Sequence, residues 1–181
     1  MTKQNIFGYF NDVQNEYSNQ RQFIEMTALF LGGFFISFLV GYPQIIVGSL
    51  VNAFLIRSAL SLSGHKVLPV AIAPSLGVLA RGLVFGPFTP FLIYLLPAIW
   101  FGNLVLIYAF KAQIRNKCNY FAVLLGGSAI KAGFLFAAAT VLFSASIVPA
   151  AIVTAMGIIQ LETALIGGII AYLGIKAEKH F

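Results

Sequence analysis

The chain has 181 residues, 60% of them hydrophobic and only 9% charged, with a mean hydropathy of +0.93. Ordinary soluble domains carry about 25% charged residues, so too little polar surface exists to coat a soluble globule. The formal net charge of +6 would suit nucleic acid in a soluble protein, but in a membrane protein surplus Lys and Arg mark cytoplasmic loops, and no nucleic-acid partner is expected.

Residues 1–22 form a polar stretch without the apolar core of a cleavable signal peptide. They are expected to be a cytoplasmic tail, with a short surface helix around Ile6 to Phe10. Six apolar segments follow over 23–176, each near the ~20 residues that a helix needs to span a bilayer. Span 1 covers Phe23–Val40 and ends at the turn Gly41–Gln44. Span 2 covers Ile45–Leu62 and stops at Ser63-Gly64-His65-Lys66. Span 3 covers Val67–Leu83, and Pro74 allows a break in it. The Gly- and Pro-rich GLVFGPFTP reads as a loop or re-entrant turn. Span 4 covers Phe91–Ala112 with a kink expected at Pro97. The charged KAQIRNKCN leads to span 5, Tyr120–Phe143. SASIVP leads to span 6, Ala150–Ile175, and 177–181 form a short cytoplasmic tail. The expected fold is an all-α integral membrane domain of six transmembrane helices, with no room for a soluble catalytic domain.

Lys and Arg set the orientation. With six spans, one side collects Lys3, Arg21, Lys66, Lys111, Arg115, Lys117, Lys176 and Lys179, and the other holds only Arg81, in the loop after span 3. Both termini are therefore expected in the cytoplasm. Cys118 stands alone in the chain and can form no internal disulfide.

Two basic residues, Arg57 and Lys131, fall inside spans. A charge at the bilayer centre costs at least about 2.5–3.5 kcal/mol, so such residues face protein or a water-filled cavity. Arg57, near the cytoplasmic end of span 2, is expected to snorkel or to pair at an interface. Lys131, Asn103, Gln160 and Glu162 lie near one plane, at about 1.5 Å rise per residue. Lys131 is open to two readings. It forms a structural ion pair with Glu162, or it joins Asn103 and Gln160 as donors around a solute site between spans 4, 5 and 6. Gln160 and Glu162 are ~200° apart on a helix, so only one of them faces such a site. Gln160 shares its face with Thr163 and Gly167. Asn52 in span 2 is placed to reach the same cavity, and Tyr42 and Gln44 in the external turn are placed as part of a lid. Small residues four apart, Ala28/Gly32, Gly33/Ser37, Ala164/Gly168 and Gly167/Ala171, suit close helix packing.

No phosphate-binding loop, Cys/His cluster, nucleophile–base constellation or acidic proton relay is present in the sequence. No cofactor or metal is expected, and the protein is expected to bind rather than catalyse.

PQIIVGSLVNAFL, APSLGVLARGLVFGPFTPFLIYLLPAIWFGNLVL, SAIKAGFLF and IIQLETALIGGIIAYL, in this six-helix arrangement of about 180 residues, resemble the substrate-binding S components of energy-coupling factor (ECF) transporters. The resemblance covers nearly the whole chain from Glu25. It implies a plasma-membrane subunit that captures a vitamin or related micronutrient towards the outer side, between helices 4–6 and the helix 1–2 loop. It also implies a separate transmembrane coupling subunit and two cytoplasmic ATPases as partners. The family's Ala-x-x-x-Ala coupling motif has its nearest match here in Ala28 and Gly32. Lys131 would suit an anionic group of the ligand. Outside that resemblance, two other readings stay open: a non-catalytic subunit that anchors or assembles a larger complex, and a stand-alone small-solute carrier.

Overall fold

A computed structural model describes residues 18–40, 42–85, 89–116 and 118–178, with the side chains of 83–90 excluded. The surface helix expected near Ile6–Phe10 lies outside the described residues. Among those described, all regular structure is helical. In chain order the α-helices are α1 (Asn19–Leu39), α2 (Gln44–Ser61), α3 (Val67–Phe85), α4 (Thr89–Asn116), α5 (Tyr120–Ser144), α6 (Ala150–Met156) and α7 (Ile158–Glu178), with one 3₁₀ turn, Gly64–Lys66. Five stretches are long and apolar enough to cross a membrane: Asn19–Leu39, Gln44–Ser61, Phe91–Asn116, Tyr120–Ser144 and Ala150–Glu178. They make this a chain of multi-pass membrane character.

The ends of the helices follow from local chemistry. Ser18 caps α1, its Oγ accepting from Arg21 N at 3.2 Å, and Asn119 caps α5 by accepting from Phe121 N and Ala122 N. Both satisfy amides that a helix start leaves without partners. Because the cap is at Ser18, the expected tail is already helical from Asn19. Gly64 takes φ +57° in the turn between α2 and α3, a conformation that costs glycine nothing.

One element resolves an open expectation and another departs from expectation. Pro74 does not break α3, which runs through it. Proline removes one amide from the ladder, and α4 braces the damaged turn: Asn103 Nδ2 donates to Ala71 O at 2.8 Å, and Trp100 Nε1 donates to Ser75 Oγ at 2.6 Å. Span 6, expected to be continuous, is interrupted at Gly157 (φ −94°, ψ −97°), which separates α6 from α7. A Cβ there would stand 2.8 Å from the ring of Phe136, so this close approach requires glycine.

The bundle has two unlike ends. At the end carrying the α1 N-terminus, polar side chains tie helices together. Arg57 Nε donates to Glu25 Oε1 at 2.8 Å and Arg57 Nη1 donates to Glu178 Oε2 at 2.6 Å, joining α2 to α1 and α7. Gln22 Oε1 accepts from Ser63 N, Ser63 Oγ and Lys66 Nζ, and Lys111 Nζ donates to Leu62 O. Arg57 therefore pairs at an interface, one of its two expected outcomes. Next to this end lies the larger core, built on Leu55, Ile56, Leu60, Leu106, Ile107 and Phe110, all at most 1% exposed. Towards the other end the helices part around a cavity.

Candidate functional site

Close packing of α2 on α7 places the first set of polar groups. Gly167 faces the α2 backbone so tightly that a Cβ would lie 2.5 Å from Ser49 O and 2.7 Å from Asn52 Cβ. Gly48 likewise faces Thr163. This contact sets Asn52 as a hub. Its Nδ2 donates to Gly48 O at 2.9 Å and to Thr163 Oγ1 at 3.3 Å, and its Oδ1 accepts from Lys131 Nζ at 2.6 Å. Thr163 Oγ1 in turn donates to Gln160 O at 3.2 Å. Asn52, Thr163 and Lys131 are each 1–2% exposed.

Asn52 and Lys131 line a cavity of about 590 Å³, within the ~300–1,000 Å³ of small-molecule sites. All six candidate ligand residues, Lys131, Asn103, Gln160, Asn52, Tyr42 and Gln44, line it. Tyr42, 81% exposed, stands in the turn before α2, and Gln44 is the first residue of α2. Asn103 already donates Nδ2 to Ala71, so its carbonyl oxygen and second amide hydrogen are what it offers a ligand. The break at Gly157 turns Ile152, Ala155 and Met156 of α6 onto the same cavity as Gln160 of α7.

The Lys131–Glu162 ion pair is corrected. Lys131 is bound to Asn52, whereas Glu162 lies on the exposed face of α7. The two share a depth but not a direction. Successive helical residues turn by ~100°, and Thr163, one residue on, is the one that faces α2. Of Ala28 and Gly32, expected to dock a partner, Ala28 is exposed and Gly32 is half-buried with the ring of Phe54 over it. Gly33 and Ser37 are instead buried on the side of α3.

Arg81 is the residue that sequence reasoning placed elsewhere. It was counted with the external loop although span 3 was expected to reach Leu83; α3 in fact runs to Phe85, and Arg81 is a helical residue lining the cavity. Its Nη1 is shielded from solvent and has no hydrogen-bond partner. The available signal was that Arg81 is the one basic residue on an otherwise uncharged side.

No protein-family model, curated protein or solved structure matches the chain.

Proposed function

We propose that the protein is the substrate-capture subunit of an ECF-type importer in the plasma membrane. It has six spans with both termini cytoplasmic, and it binds a vitamin or related micronutrient without chemistry. A transmembrane coupling subunit and cytoplasmic ATPases are its partners. The observation that carries this reading is the single cavity that collects Lys131, Asn103, Gln160, Asn52, Tyr42 and Gln44 inside an apolar helical bundle. A merely structural bundle has no reason to hold an ammonium against one neutral oxygen beside about 590 Å³ of open space. In this arrangement α3 is a full span and α6 with α7 form the sixth, so the loop of Tyr42 faces outward and the Arg57 network faces the cytoplasm.

Native mass spectrometry of the gently purified protein, followed by small-molecule analysis after denaturation, tests the reading. A stoichiometric small molecule, lost in Lys131→Ala while the fold is kept, is the expected result. An empty protein holding a polypeptide unrelated to any ATPase assembly would overturn it in favour of an anchoring or assembly subunit. Flux through liposomes containing this protein alone would instead identify a stand-alone carrier.

A further inference from the structure

We infer that the cavity takes an organic acid, a compact carboxylate or phosphate group on an apolar body, with Arg81 as the anchor of the anion. This rests on the capture reading and names its cargo class. The charged residues among the described lining are Arg81 and Lys131, both cations. The described acids are committed elsewhere: Glu25 and Glu178 hold Arg57, and Glu162 lies on the exposed face of α7. The neighbouring stretch LVFGPFTP (83–90) contains no acid either. The described walls therefore provide no counter-charge.

The two cations are not equivalent. Lys131 already has a short bond to Asn52 Oδ1. Arg81 is half-buried, and its Nη1 is shielded from solvent and unbonded. A shielded donor without a partner is unfavourable, and a planar fork of donors matches a carboxylate or phosphate in bidentate fashion. The rest of the lining is largely apolar, including Val47, Val51, Leu92, Ile99, Ile152 and Met156. A bare inorganic anion would leave that surface wet. An amine would meet two like charges and no acid. An acid with an apolar body satisfies both parts of the wall, with Lys131, Asn103 and Gln160 left for its remaining polar atoms.

Trp100, the only tryptophan, donates to Ser75 Oγ, and Ser75 lines the cavity. Its fluorescence therefore reports occupancy. The protein in phosphatidylcholine nanodiscs is titrated with two matched series, 3-phenylpropionate, 3-phenylpropanol and 3-phenylpropylamine, and hexanoate, hexanol and hexylamine. The acid of each series is expected to saturate at least about tenfold more tightly than the alcohol, with the amine weakest, a tenfold difference being ~1.4 kcal/mol. Arg81→Gln should abolish the preference and Arg81→Lys should retain most of it. If Arg81→Gln does not fold, the acid–alcohol–amine order in the unmodified protein still decides. An alcohol or amine that binds as tightly as its acid, or a preference that survives Arg81→Gln, overturns the inference and leaves a capture protein for neutral or cationic cargo. If no member of either series changes Trp100 saturably, the cavity is not an open solute site, and the capture reading falls with the inference.

Discussion

The molecule treats its buried and half-buried cations in opposite ways at its two ends. Arg57 meets two carboxylates at 2.8 and 2.6 Å. Its charge is neutralised by partners from α1 and α7, and the triad fastens three helices. Lys131 meets one neutral oxygen, and Arg81 leaves Nη1 without a partner beside open space. Desolvating a charge costs several kcal/mol in either place. Where the chain supplies the counter-charge, the cation is part of the structure. Where it withholds it, the cost persists until something else enters, and a site that relieves such a cost on occupancy gains affinity for the occupant.

Substitutions can break this contrast at either end. The largest effect is expected at Gly167, where the two helices that set Asn52 and Thr163 are closest. Gly167→Val would press against Ser49 O, Asn52 Cβ and Ala53 N, which are backbone or directly attached to it and cannot swing aside. The cost should reach ~3 kcal/mol, the upper part of the range for overpacking. Detergent or SDS unfolding should register it, together with loss of any bound solute. Arg57→Met comes next. It strands Glu25 and Glu178, whose side chains are 17% and 46% exposed. Breaking a fully buried pair costs 3–5 kcal/mol, and solvent access here should reduce that to about 2 kcal/mol. Stability should fall while the ligand affinity of the folded fraction stays unchanged. Lys131→Met should do the reverse. It leaves Asn52 Oδ1 without its donor but strands no charge, so unfolding should move by ~1 kcal/mol, the low end for an unsatisfied buried oxygen. Affinity for the native solute should drop about tenfold or more, as for loss of a charge-assisted hydrogen bond of ~1.5–3 kcal/mol. If Lys131→Met unfolds the protein and Arg57→Met does not, the assignment of the two ends is wrong.

The contrast also marks what could be read before the structure. Long apolar runs broken by GYPQ, SGHK and KAQIRNKCN place the helices well, because the backbone of a bilayer-crossing segment can satisfy itself only as helix or closed barrel. Depth along a helix is legible too, since rise per residue is constant, and the six polar residues selected by depth and by the external turn do share one cavity. Direction around the helix axis is harder. It is set by which neighbour packs on which face, and that depended on the Gly167–Ser49 contact, a relation between residues 118 positions apart. Pro74 and Gly157 show the same limit. α3 runs through Pro74 where Asn103 and Trp100 of another helix bond to its turn, and span 6 is interrupted at Gly157 where Phe136 lies against the backbone. Arg81 was counted with the loop although span 3 was expected to reach Leu83; α3 runs on to Phe85, which leaves Arg81 within the helix and on the cavity wall.

The smallest expected effect sharpens the comparison most. If Lys131 had the status of Arg57, removing Glu162 would leave it stranded, and the two residues would couple. A double-mutant cycle of Lys131→Ala and Glu162→Ala, followed by unfolding, measures that coupling directly. Glu162 lies on the exposed face of α7, and Lys131 is buried on Asn52. The interaction energy should therefore lie within the ~0.3–0.5 kcal/mol seen for independent sites. Glu162→Ala alone should leave solute binding intact. A coupling of 1 kcal/mol or more, by the scale of residues in contact, would return Lys131 to the class of Arg57, a cation held by a carboxylate of its own chain, and would leave Arg81 as the sole unmatched charge of the cavity.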